Sequence, residues 1–255
     1  MWEKKVAIFK RFVAMVQFFT SIPVPINLNC DERDYGKGLV FAPAVGLIIG
    51  VLILALCSVL KLFLPAKVVA AFLIVGYIVL TGGLHLDGLG DTFDGLFSNR
   101  PKERILEIMR DSRVGTNAVL ALISIVLLNY TVLLELDLMP MALLLFPVAG
   151  RIGSLIGAGS SVYARKNEGL GKSFIDFCGK KEMILGSVIS FIIFGIVLKL
   201  KGLLMAFISI VTAWTVTKIL TRKLGGATGD ILGAICELNQ TVFLILFFVL
   251  EKFLS

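Results

Sequence analysis

The chain has 255 residues, 57% of them hydrophobic and only 17% charged, with a mean hydropathy of +0.94. That composition excludes a soluble globular domain and identifies an integral membrane protein. The net charge of +7 and pI near 9.3 describe basic loops beside membrane spans; no aromatic-interleaved basic patch or nucleic-acid module is present, so no nucleic acid is expected as a partner.

The N-terminal stretch WEKKVAIFKRFVAMVQFFTSIPVP predicts an interfacial or partly inserted amphipathic helix, because Lys4, Lys5, Lys10 and Arg11 interrupt its apolar run before Pro23 and Pro25 stop it. Charges placed so far into the run, with no small-residue cleavage site after it, argue against a signal peptide. Were the segment to cross the membrane, it would add an eighth span. Seven apolar segments follow, at roughly 38–60, 66–84, 114–136, 139–163, 183–199, 202–221 and 231–251, each near the ~20 residues a spanning helix needs. Runs of this length imply helices rather than a barrel. The expected fold is therefore an all-α, polytopic membrane protein of about seven transmembrane helices. No internal repeat or long polar connection interrupts it, so one membrane domain covers residues 1–255.

With the N-terminus inside, the connections before residue 38 and at 85–113, 164–182 and 222–230 share one side and carry 18 of the 25 basic residues. The positive-inside rule makes that side cytoplasmic. Every polar motif of the chain falls on it.

The first such motif, GGLHLDGLGDTFDG at 82–95, sets Asp87, Asp91 and Asp94 at i, i+4 and i+7 beside the only histidine, His85. At about 100° per residue the three carboxylates share an arc of roughly 60°, opposite Leu86, Leu89, Phe93, Leu96 and Phe97. Acids on one face of a helix are commonly only a solvated surface. Here no lysine or arginine lies between Leu80 and Asn99, and five glycines interrupt the segment. Each costs a helix about 1 kcal/mol, so close backbone approach to a ligand or another helix is the better reason for them. Clustered hard oxygen donors suit Mg²⁺ or Mn²⁺.

Next comes RPKERILEIMRDSRVGTNAV, in which Glu103, Arg104, Glu107 and Arg110 describe an ordinary solvated helix. Arg113, Gly115 and Thr116 then lie where a loop becomes a spanning helix, an outline equally of a phosphate site and of a plain helix start. Arg151 sits inside the run LLLFPVAGRIGSLIGAG, where a buried guanidinium needs an ionic partner or a wet cavity. The loop YARKNEGLGKSF interleaves Arg165, Lys166 and Lys172 with Gly169 and Gly171, which lets backbone donors and cations approach an anion together, although Walker spacing is absent. In GGATGDILGAICELNQ, at 225–240, Thr228 or Asp230 can cap the last span, and Asp230, Gly233, Ala234 and Glu237 share a face. Glu237 is carried about 10 Å toward the membrane and must face either the metal or Arg151. Cys30, Cys57, Cys178 and Cys236 lack CxxC pairing, so neither a disulfide framework nor a zinc site is expected.

Taken in order, GGLHLDGLGDTFDG, MRDSRVGT, ARKNEGLGKS and GGATGDILGAICELNQ resemble the cobalamin synthase family, adenosylcobinamide-GDP ribazoletransferases. The resemblance runs from FFTSIPVP to the last motif, and no departure removes a carboxylate from the shared segments. It implies an enzyme of vitamin B12 biosynthesis that joins adenosylcobinamide-GDP to α-ribazole or its 5′-phosphate, releasing GMP and requiring Mg²⁺. It further implies that Asp87, Asp91, Asp94 and Asp230 hold the metal and that Arg113, Arg151, Arg165 and Lys172 clamp phosphate. His85, Asp94 and Glu237 compete for the role of base. The expected setting is the cytoplasmic membrane of a bacterium or archaeon, with the active site facing the cytoplasm. Membrane lipid is an expected partner, with room for a homo-oligomer or for association with other corrinoid-assembly enzymes. Two rivals share some features: a CDP-alcohol phosphotransferase, whose aspartate arrangement before a DG is missing here, and a cation transporter, whose inverted repeat is not found.

Overall fold

The computed structural model describes residues 2–166 and 169–253; Asn167 and Glu168 of the ARKNEGLGKS motif lie outside the described residues, as do the side chains of Lys4 and Lys5. The helices are α1 Trp2–Phe19, α2 Glu32–Gly38, α3 Ala42–Leu60, α4 Ala66–Thr81, α5 Leu84–Phe97, α6 Lys102–Ile108, α7 Thr116–Glu135, α8 Pro140–Gly159, α9 Leu170–Phe177, α10 Lys180–Thr221 and α11 Gly229–Phe253. Pro43 and Pro140 stand in the first turns of α3 and α8, where a missing N–H costs nothing. Asp31 and Asp34 close a reciprocal capping box at the start of α2.

Five elements are long and apolar enough to cross a membrane: the stretch Glu32–Leu60, and α7, α8, α10 and α11. The pair α4 and α5, bent by 92°, makes a sixth if it is taken as one broken span. α10 is itself two arms, 180–198 and 200–221, that meet at Lys199 in a left-handed conformation (φ 54°). Gly202 packs against the Phe194 carbonyl and Gly195 against Leu203. Residues eight apart on a straight helix lie about 12 Å from each other, so the arms fold back as a hairpin. Each of the seven predicted segments thus has a helical counterpart. The N-terminal helix α1 is not among the elements apolar enough to span, as its four basic residues require.

The bundle is organised around α8. Its most apolar window is 89% buried, against 28% for α7 and 22% for α10, so the latter two present their apolar surface outward. Gly150 and Gly153 let α8 approach α11 at Cys236 and Ile235, the small-residue packing that membrane interiors favour.

Candidate active site

The site begins where α4 stops. Gly82 and Gly83 both take left-handed backbone (φ 61° and 67°), conformations that a side chain resists, and they turn the chain from α4 into α5. This sets the acidic helix across the line of α4. α5 then crosses α11 closely: the position of a Cβ on Gly88 is 2.7 Å from the Asp230 carbonyl oxygen, and Gly233 faces the His85 backbone at 3.1–3.2 Å. Close approach to another helix is what the glycines provide.

The crossing brings acids from two distant segments together. Asp91 is half-buried and within electrostatic reach of Asp87, Asp230 and Asp94, with Arg165 as the cation beside them. Arg165 Nη2 donates to Asp230 Oδ2 at 2.8 Å, and the Thr228 hydroxyl lies 3.2 Å from the same oxygen. The loop bearing Arg165 is pinned there by a parallel bridge, Ala164 N–H to the Ala227 carbonyl (2.9 Å) and Ala227 N–H to the Val162 carbonyl (2.8 Å). Gly171 packs onto the Gly229 backbone at the start of α11. The ARKNEGLGKS and GGATGD motifs are therefore one surface.

Asp94 sits differently from its companions. Its carboxylate accepts the N–H groups of Gly115 (2.6 Å) and Ala118 (2.9 Å), capping the N-terminus of α7. The anion that the RVGT helix start attracts is thus the protein's own. Arg113 is not brought to the cavity: it is exposed and forms a bidentate pair with Asp111, whose carboxyl it holds down to about 2. Lys172 pairs with Asp176 one turn further along α9.

Arg151 departs furthest from the expected phosphate clamp. It is fully buried on α8 and is not among the residues lining the cavity beside Asp87, and its Nε and Nη2 have no hydrogen-bond partner. Its Nη1 donates to the Tyr77 hydroxyl (2.9 Å), and that hydroxyl donates to Glu237 Oε1 (2.8 Å). Gln240 Nε2 donates to the other Glu237 oxygen at 2.6 Å. The guanidinium lies over the rings of Phe19 (5.8 Å) and Tyr77 (5.7 Å). Of the two sequence readings for Glu237, the structure realises the ionic one, with Tyr77 as the bridge. Glu237 therefore serves the interior and does not face the acids of α5.

Among the described residues, three ligand atoms mutually within 4.8 Å occur at His85, Cys236 and Glu237, and the aspartates form no such group. The buried trio is a poor cation site: Arg151 lies 3.8 Å from the Cys236 sulfur, and Glu237 is already committed. Asp87, Asp91 and Asp230 offer hard oxygens at a solvent-facing edge with one arginine to balance them, and that donor set fits a divalent ion.

A cavity of about 270 Å³ opens at this edge. Asp87, Asp230 and Arg165 line it together with Phe18, Phe19 and Phe174, and His85 belongs to the wall as well. The His85 Nδ1 has no hydrogen-bond partner, and neither does the Arg165 Nε. Sequence spacing revealed neither the three phenylalanines nor Tyr77. The phenylalanines come from α1 and α9, where nothing in the sequence sets them apart from core residues.

Long apolar helices make this an integral membrane protein, one that collects aspartates, an arginine and glycine loops from separate segments on one surface. The chain belongs to the cobalamin-5-phosphate synthase family, whose pattern matches residues 11–248. A relative from Acetivibrio thermocellus is 61% identical over 244 residues, covering 95% of this chain and 98% of its own. One from Clostridium acetobutylicum is 53% identical over 240 residues, with 93% and 95% covered, and one from Alkaliphilus oremlandii is 38% identical over 244 residues, with 95% and 98% covered. Each is named adenosylcobinamide-GDP ribazoletransferase. No solved structure matches the chain. The transferase class and the place in cobalamin biosynthesis expected from the motifs are those of the family; the CDP-alcohol phosphotransferase and transporter readings fall away.

Proposed function

We propose that this chain joins adenosylcobinamide-GDP to α-ribazole or its 5′-phosphate at the membrane-edge cavity, on the cytoplasmic side. The observation that carries the reading is the convergence of Asp87 and Asp230 with Arg165 in the wall of that cavity, with Asp91 within electrostatic reach of all three. The side is supported by the 18 of 25 basic residues that share it. Lipid is the partner of the exposed apolar faces of α7 and α10, Leu127 and Ile196 among them.

In this reading the 3′-hydroxyl of ribazole attacks the phosphorus that bears the cobinamide. A new P–O bond forms, the bond from that phosphorus to the bridging oxygen breaks, and GMP leaves with the bridging oxygen. His85 belongs to the cavity wall two residues before Asp87 and is the group assigned to take the hydroxyl proton. Arg165, held by Asp230 in the cavity wall, supplies the positive charge for the phosphate oxygens. Asp87, Asp91 and Asp230 would hold Mg²⁺, which when bound neutralises charge on the pyrophosphate. Asp94 positions α5 by tying it to α7, and Arg151 with Glu237 fixes the helices behind the cavity.

The test is turnover by the purified protein in detergent with both substrates supplied. GMP and the joined corrinoid are expected in equal amounts, lost on chelation and restored by Mg²⁺. Absence of GMP with both substrates and Mg²⁺ present would refute the assignment.

A further inference from the structure

The cavity is chemically mixed. Its wall carries the charged set Asp87, Asp230 and Arg165 and an aromatic cluster in which Phe18 and Phe19 from the last turn of α1 meet Phe174 of α9; Leu39, Leu84, Ser154 and Tyr163 line it too. The Phe18 and Phe174 rings are 4.6 Å apart between centroids, and Phe18 and Phe19 are 5.1 Å apart. His85 adjoins both sets, 5.5 Å from the Phe19 ring and two residues before Asp87. Resting on the function proposed above, we infer that the aromatic cluster receives the base of α-ribazole and that Phe18 and Phe174 select it.

Size and edge chemistry support this. A volume of about 270 Å³ accommodates a bicyclic base and part of a sugar, whereas a corrin macrocycle is several times too large and must stay outside. Guanine, the other flat base in the reaction, carries donors and acceptors around its edge. Against Phe18, Phe19, Phe174, Leu39 and Leu84 those groups would be left unpaired, which weakens binding. The ribazole base presents methyl groups on its outer edge and loses nothing there, and its flat face stacks on aromatic rings. With the base so placed, the attached ribose lies beside His85, and its hydroxyl points to Asp87, Asp230 and Arg165.

The experiment measures KM for each substrate, with the other saturating, for wild type, Phe174→Ala and Phe18→Leu. Phe18 is only partly buried, so its variant keeps the test alive should Phe174→Ala fail to fold. The expected result is a rise of about tenfold in KM for α-ribazole in Phe174→Ala, the worth of one lost aromatic contact. A smaller rise is expected in Phe18→Leu, and KM for adenosylcobinamide-GDP stays within twofold in both. A rise in KM for adenosylcobinamide-GDP, an equal rise for both substrates, or competition between GDP and α-ribazole for the wild-type site would overturn the inference. A wild type that turns over leaves the proposed function standing in each of those cases; one that releases no GMP refutes the function itself.

Discussion

Gly88→Ala tests the crossing on which the site depends. A Cβ there stands 2.7 Å from the Asp230 carbonyl oxygen and 3.0 Å from its Cα, where ordinary contact begins at 3.4 Å. Both atoms are backbone, so no side chain can swing aside and the helices must part by about 0.7 Å. Overpacking of this kind costs about 1–3 kcal/mol, partly offset by about 1 kcal/mol of helix propensity, so Tm in detergent should fall by only a few degrees. The rate is more sensitive: parting α5 from α11 separates Asp87 and Asp91 from Asp230, and misplacement near 1 Å can cost about 100-fold. The assay is GMP release at saturating substrates and Mg²⁺. Gly76→Ala is the control, since its Cβ would meet the Leu56 Cδ2 tip at 2.6 Å and otherwise only Ile53 Cδ1 at 3.9 Å, both side-chain ends that can yield; its turnover should match wild type. Full activity in Gly88→Ala, with unchanged or raised Tm, would refute the reasoning.

Asp91→Asn should reduce GMP release by about a thousandfold, the worth of several kcal/mol of metal-held charge. Mg²⁺ should raise the Tm of the wild type but not of this variant; a Mg²⁺-stabilised, active Asp91→Asn would contradict the metal assignment. Arg151→Met leaves Glu237 buried without its cation and should cost about 3–5 kcal/mol, most of it recovered in Arg151→Met/Glu237→Leu; thermal melts of the single and double variants decide this. Asp94→Ala removes the cap of α7 and should cost about 1 kcal/mol, seen as a lower Tm and a slower enzyme, while Asp94→Asn, which still accepts one N–H, keeps part of both. Asp111, held to about 2 chiefly by its hydrogen bonds with Arg113, contributes stability that is present above the unfolded carboxyl value of about 3.9 and is lost as pH falls toward 2. A carboxyl NMR titration should show this midpoint return to the ordinary range in Arg113→Ala.

The helical class and the site's aspartates were legible because both are local: apolar runs set the spans, and spacing within one helix set the acidic face. Gly88 was legible as a close approach, though not which helix would come near. What stayed hidden depends on long-range pairing. Arg151 shows in the sequence as a cation inside a span, but Tyr77, 74 residues earlier, is what engages it. Arg165 and Asp230 are 65 residues apart, so a free phosphate ligand and an internal pair look alike in the chain. Asp94 continued the acidic spacing perfectly and yet caps another helix, because periodicity fixes a residue's direction and not what waits there. Phe18, Phe19 and Phe174 were indistinguishable from ordinary core residues.

The reversal at Lys199 reaches beyond the membrane region. Since the two arms of α10 return to the edge from which they left, the loops on either side of the hairpin, one with Arg165 and the other leading to Asp230, are joined at the far end by a single clip. At the near end the Tyr163–Ala227 bridge fastens them again. Tied in this way at both ends, Arg165 and Asp230 keep a fixed register, so a displacement of either segment carries the other half of the ion pair with it.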